Sequence, residues 1–278
     1  MTALLQVKDL DVTYPGPGGG FRAVQGVSFE VGQGQTLALV GESGCGKSTV
    51  AKTLVKLLDP TAGQVLLDGQ DIAGIKGAEL QKFRSRIQMV FQDPYGSLDP
   101  RMSAGALVAE AVALRSPGLS KAERLKEAES FLDRVGLPTG AVSKKAPEFS
   151  GGQRQRIGIA RALAAKPEIV VLDEATSALD VSVQAEILEL LADIQKDTGT
   201  TYVMISHNLG VVRSVADSVV VMRRGRVEES GAAADVLGNP QSEYPQLLRS
   251  AALDPSAMTG IKPRDVVRRF GAVPVAAK

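Results

Sequence analysis

The sequence predicts an α/β fold: a buried sheet with a glycine-rich strand–helix junction, an antiparallel ribbon beside it, and a helical stretch inserted between two of its strands. Three observations predict it. Gly41-Glu42-Ser43-Gly44-Cys45-Gly46-Lys47-Ser48-Thr49 follows a short apolar run, Thr36–Val40, and precedes Val50, Leu54, Leu57 and Leu58 at helical spacing. Leu5, Val7, Leu10 and Val12, then Val27, Phe29 and Val31, alternate with polar residues as half-exposed antiparallel strands do. From about residue 98 to 165 the pattern turns helical and rich in Ala, Leu and Val.

Composition bounds the answer. At 278 residues the chain can bury a substantial core. Lys plus Arg number 32 against 31 for Asp plus Glu, and no basic run stands out, so no nucleic-acid partner is expected. One cysteine, Cys45, excludes an intrachain disulfide and any four-cysteine metal or iron–sulfur site, in keeping with a reducing cytosol. Met1–Lys8 lacks the regions of a signal peptide, and no apolar run approaches a bilayer span, so the chain is expected to be soluble by itself.

In chain order, the first strand ends at Tyr14, before the loop Pro15–Gly20, and Gly32-Gln33-Gly34 turns into the buried strand. Val65–Ile72 predicts a hairpin around Asp68-Gly69, and Arg86–Phe91 another strand. Met102–Leu114 is helical, and Ser120-Lys121-Ala122-Glu123 is a capping box opening a helix that ends at Gly136. Ser150 is a natural N-cap for a helix running to Ala165. Ile169–Leu172 and Thr201–Ile205 read as buried strands flanking a helix with Val183, Ile187, Leu190, Leu191 and Ile194 inward, stopped by Gly199. A last hairpin is expected around Arg224-Gly225, then a helical, proline-broken tail that loosens after Pro255.

The chemistry gathers at strand ends. The run from Gly41 fits G-x-x-x-x-G-K-[ST], the phosphate-binding loop. Its glycines let successive N–H groups turn around phosphate oxygens, and the following helix adds the positive end of its dipole. Lys47 can reach the outer phosphates, and the Ser48 hydroxyl can ligate Mg²⁺. Asp173 and Glu174 end a central strand, where a carboxylate pair is costly without a cation or a proton-transfer role. Asp173 suits the Mg²⁺ shell and Glu174 suits deprotonating an attacking water. His207, the one histidine, closes the next strand, where an imidazole can reach a γ-phosphate or that water.

These residues together resemble the ATP-binding subunits of ABC transporters, up to about Gly231, and so imply a P-loop NTPase (RecA-like) core with an antiparallel β subdomain and an inserted helical subdomain at about 98–165. By that resemblance Tyr14 stacks on adenine, residues Gly41–Thr49 bind ATP with Asp173, and Gln92 is the Q-loop glutamine, catalytic and in the Mg²⁺ shell. Phe149–Gln153 is similar to the signature Leu-Ser-Gly-Gly-Gln, with Phe149 in place of leucine, a change expected to alter packing only. Ile169–Asp173 matches the Walker B strand, Glu174 its catalytic carboxylate, Ser177–Asp180 the D-loop and His207 the switch histidine. The resemblance implies that Ser150, Gly151, Gly152 and Gln153 act on a partner's ATP and that Asp180 lies at the dimer junction. It further implies a second cassette subunit, two permeases, an external binding protein and a peripheral place on the cytoplasmic face of the cell membrane.

Phe91–Met102 looks like the Q-loop region of dipeptide, oligopeptide and nickel importers. The tail Ser242–Ala251 is similar to their C-terminal extension without its His-Pro-Tyr order, dividing the chain into 1–235 and 236–278. Cys45 reads as a small loop residue whose alkylation would block ATP. Other cargoes (nickel, glutathione, an exporter substrate) stay open. A soluble cassette protein acting on ribosomes or DNA would instead show tandem ATPase domains or a long coiled-coil insertion, and neither is visible.

Overall fold

The structure, a computed structural model, describes residues 3–253 apart from 17–18, 94 and 177–178. The tail after Pro255, Pro94 and the first half of the expected D-loop, Ser177 and Ala178, lie outside the described residues.

The chain opens with β1 (Ala3–Tyr14) and β2 (Phe21–Gly32), paired antiparallel, then β3 (Thr36–Gly41) and helix α1 (Lys47–Leu54). A hairpin of β4 (Ala62–Leu67) and β5 (Gln70–Asp71) completes a four-stranded sheet in the order β2-β1-β4-β5. Asp68 and Gly69 both have positive φ, the conformation a two-residue Asp-Gly turn requires. Along β1 the step from Val7 to Leu10 is three residues, which alternation alone cannot bury on one face. A register shift there, with Asp9 at φ +46°, restores the phase, and Leu5, Val7, Leu10 and Val12 are all buried.

Next come α2 (Gly77–Arg86), β6 (Ile87–Val90), α3 (Ala104–Arg115), α4 (Lys121–Arg134) and α5 (Gly151–Ala164). Helix α2 has no counterpart in the sequence reading, because only Phe83 of its ten residues is buried and no apolar stripe announces it. Ser120 and Glu123 make both bonds of the expected capping box at α4, and Gly136 beyond its end has φ +72°. Helix α3 packs on α4 and α5, sharing one cluster with Phe149, Leu132 and Ile157.

The rest is β7 (Ile169–Asp173), α6 (Val181–Thr198), β8 (Thr201–Ile205), α7 (Leu209–Val215), β9 (Ser218–Arg223), β10 (Arg226–Ala232), α8 (Ala233–Gly238) and α9 (Glu243–Leu253). The core sheet runs β10-β9-β3-β8-β7-β6 and is parallel except for β10. Every residue of β3, β7 and β8 is buried, as expected of a parallel sheet covered on both faces. One cluster joins the antiparallel sheet and α1 to the core sheet, while α7, α8 and α9 cover its β3–β9 side. Ile205 pairs with both Leu39 and Asp173, so the loops after β3, β7 and β8 emerge at one edge.

Candidate functional site

The loop after β3 is shaped by what its glycines touch. A Cβ on Gly41 would stand 2.1 Å from the Met222 carbonyl oxygen, and one on Gly46 2.4 Å from that of Ala23. Both positions also have positive φ, so only glycine lets the loop pass between β9 and β2. Gly46 caps α1, whose first residue is Lys47. Although its head is charged, Lys47 is only 5% exposed. Its Nζ donates to the carbonyls of Gly41 (2.8 Å) and Glu42 (2.9 Å), bonds that hold the ammonium over the loop.

Two strands away, Asp173 ends β7 at 4% exposure, and its Oδ1 accepts from the Ser48 hydroxyl at 3.0 Å. Burial pushes its carboxyl pKa above the ordinary value, with Ser48 opposing and Glu174 adding to the rise. Glu174, the next residue, leaves the strand at φ +45°, its N–H bonded to the Ile205 carbonyl at 3.1 Å. That left-handed turn is unusual for a residue with a side chain. The Gln92 side-chain amide donates to its Oε2 at 2.8 Å, and His207 Nδ1 stands 3.7 Å from its Oε1. Gln92, Glu174 and His207 come from loops after three neighbouring strands, β6, β7 and β8, and meet at one carboxylate.

These groups border a cleft of about 400 Å³ lined by Tyr14, Phe21, Ser43, Gly44, Gly46–Thr49, Gln92 and Glu174. Tyr14 is fixed by its hydroxyl, 3.3 Å from that of Thr49. Phe21 is a lining residue the sequence reading missed. It is the cross-strand partner of Tyr14 and 63% exposed, an aromatic whose position at the far end of a glycine-rich hairpin loop was the available signal. Cys45 is buried within 3.8 Å of Lys47 Nζ, and burial pushes its thiol pKa up, which disfavours the thiolate that alkylation requires.

Not every expected residue lines this cleft: Gly41, Glu42, Cys45, Asp173 and His207 stand behind or beside its walls, and the signature-like residues and Asp180 lie elsewhere. Ser150 and Gln153 exchange both bonds of a capping box at the start of α5, with Gly151 and Gly152 between them, and none of the four lines it. Phe149 is buried in the helical cluster, as a packing role requires. Asp180 stands at the N-terminal boundary of α6 without a side-chain capping bond and is exposed.

Among the described residues no group of three or more His, Cys, Asp or Glu could hold a metal ion. A divalent ion here would therefore rest on few protein ligands and on substrate oxygens, the pattern magnesium favours. The Ser48 hydroxyl and the buried, desolvated Asp173 carboxylate beside a phosphate-type loop fit that need.

Residues 24–177 match the family described as ABC transporter. A probable peptide ABC transporter ATP-binding protein of Sinorhizobium fredii is 49% identical over 90% of this chain and 72% of its own length. The oligopeptide transport ATP-binding protein OppF of Bacillus subtilis is 43% identical over 89% of this chain and 82% of its own. Among solved structures, a dimeric ATP-binding cassette in a post-hydrolysis state with ADP and Pi has a TM-score of 0.76 at 30% identity, covering 82% of this chain and 98% of that one. A cassette from Clostridium perfringens, part of an ABC transporter complex, has a TM-score of 0.75 at 29% identity and covers 98% of this chain and 100% of that one. With the loop, the strand-end carboxylates and these likenesses together, the chain belongs to the ABC transporter family.

Proposed function

We propose that this chain is the ATP-hydrolysing subunit that powers a peptide importer. The observation that carries the chemistry is Glu174, hydrogen-bonded to Gln92 and with His207 Nδ1 3.7 Å from its other oxygen, on the wall of the cleft that also contains Lys47. In this reading Tyr14 and Phe21 flank the adenine, and Lys47 with the N–H groups of Ser43–Thr49 binds the phosphates. Ser48 and Asp173 would hold Mg²⁺, with Gln92 at its edge, and the ion would neutralise charge on the phosphate oxygens. Glu174 takes a proton from the attacking water as its oxygen joins the γ-phosphorus, and ADP leaves. His207 orients the carboxylate and the departing phosphate.

Ser150–Gln153 lie outside their own chain's cleft, which supports a second cassette supplying them across a dimer. The N-terminus of that partner's α5 would close the open side of the γ-phosphate, and hydrolysis would release it. Asp180, exposed at the start of α6, would face the junction. Among the described residues no helix is long and apolar enough to cross a membrane. In this reading the chain sits peripherally on the cytoplasmic face of the cell membrane, against two transmembrane permeases served by an external binding protein. The helical stretch at 98–165 would dock a permease, and 236–278 forms an extension to the cassette at 1–235. Peptide as cargo is supported by the relatives, whose names state peptide and oligopeptide transport.

The test is to purify the tagged full chain with its membrane assembly and measure ATP turnover in lipid with binding protein loaded with peptide, Ni²⁺ or glutathione. Stimulation by peptide alone is expected. Stimulation by Ni²⁺ or glutathione instead would contradict the cargo, and a preparation without membrane subunits would contradict the importer.

A further inference from the structure

We propose that Tyr244, on α9 of the C-terminal extension, is a positioning residue for the phosphate loop, holding the Gly41–Glu42 peptide in place from below. The proposal rests on the nucleotide-binding reading above and adds to it a residue some two hundred positions from the loop.

The Glu42 N–H donates to the Tyr244 hydroxyl at 3.1 Å. That N–H and the Gly41 carbonyl belong to one planar peptide unit, so fixing one end orients the other. The carbonyl end accepts from Lys47 Nζ at 2.8 Å. The first peptide of the loop is thus held at both ends, by the residue that reaches the phosphates and by the extension. Gly41 itself has no side chain; it ends β3 in register with Met222 of β9, so Tyr244 and Lys47 act on the peptide where the strand gives way to the loop.

The tyrosine itself is fixed. It is 4% exposed, in a cluster with Val40 of β3 and Val236 and Leu237 of α8, and the Arg223 guanidinium lies 4.7 Å from its ring centroid. Burial pushes its phenol pKa up to about 12, so the hydroxyl is neutral at pH 7 and accepts through a lone pair. The start of α9 is anchored in turn, because the Glu229 carboxylate on β10 accepts from the N–H groups of Gln241 (3.0 Å) and Ser242 (2.8 Å). A tyrosine that only filled space would meet its hydrogen-bonding need with any nearby group. This one meets it with an amide of the phosphate loop.

The experiment compares Tyr244→Phe, Val236→Ala and Lys47→Ala in the full chain within its purified assembly, reading KM for ATP, kcat and Tm. Tyr244→Phe deletes one oxygen and leaves the Glu42 N–H without its acceptor. It is expected to raise KM roughly three- to tenfold with kcat changed by less than about twofold. Val236→Ala loosens the same cluster without touching the loop, and should lower Tm at least as far while leaving KM unchanged. An unchanged KM in Tyr244→Phe, or an equal rise in Val236→Ala, overturns the proposal while Lys47→Ala still weakens ATP binding. If Lys47→Ala binds ATP normally, the nucleotide reading falls and this proposal with it.

Discussion

Glu174 stands in a left-handed backbone conformation at the end of a fully buried strand, with Gln92 and His207 at its two oxygens. Sequence shows that a carboxylate follows Asp173; it does not show that the backbone turns there. If Glu174 is the base, Glu174→Gln keeps the contact with Gln92 in altered form, retains ATP binding, and slows hydrolysis by about 10²–10⁴-fold in a single-turnover assay. Turnover at the wild-type rate would remove Glu174 from that role. Asp173 tells a complementary story, because burial already disfavours its charge. A carboxyl whose folded pKa is raised favours the protonated folded state, so its contribution to stability falls as pH rises through the unfolded and then the folded pKa. Asp173→Asn should therefore raise the nucleotide-free stability at pH 7 by about 1 kcal/mol in urea titrations. The same variant should lose Mg²⁺-dependent hydrolysis. A destabilised Asp173→Asn would show that the carboxylate is better compensated than its burial implies.

At the scale of elements, what the sequence made legible was whatever has a local cause. The glycine-rich loop, the Asp68-Gly69 and Arg224-Gly225 turns and the capping box at Ser120 are each specified by neighbours in sequence, and each stands where expected. Helix α2 was not legible, since it fully buries a single side chain, Phe83, with only Leu80 partly covered beside it. The register shift near Asp9 was hidden for another reason: it is set by pairing with β2, across the sheet. Phe21 and Tyr244 escaped because their significance lies in partners, Tyr14 across the hairpin and Glu42 far along the chain. Gly199 is the opposite case. It ends α6 at φ +67°, its N–H bonded to the Gln195 carbonyl, with nothing near the place a Cβ would take. Gly199→Ala should cost about 1 kcal/mol of stability through backbone strain alone and leave the KM for ATP unchanged, as thermal unfolding and a turnover assay would show.

Within the whole molecule the expected functional groups fall in two places. The loop, the carboxylates, Gln92 and His207 gather at the edge where β3, β7 and β8 end, while Ser150–Gln153 start α5 outside that cleft. The resemblance read from the sequence assigned the two sets to different ATP molecules, and the separation in one chain supports that assignment. On the proposed reading the chain is half of a device, completed by a second copy or a related subunit. The most direct measurement is light scattering on Glu174→Gln, alone and mixed with the cassette that co-purifies with it, in MgATP, in MgADP and without nucleotide. Association in MgATP only, as a one-to-one pair, is the expected result. Equal masses in all three conditions, with ATP bound, would contradict a site completed by a second cassette.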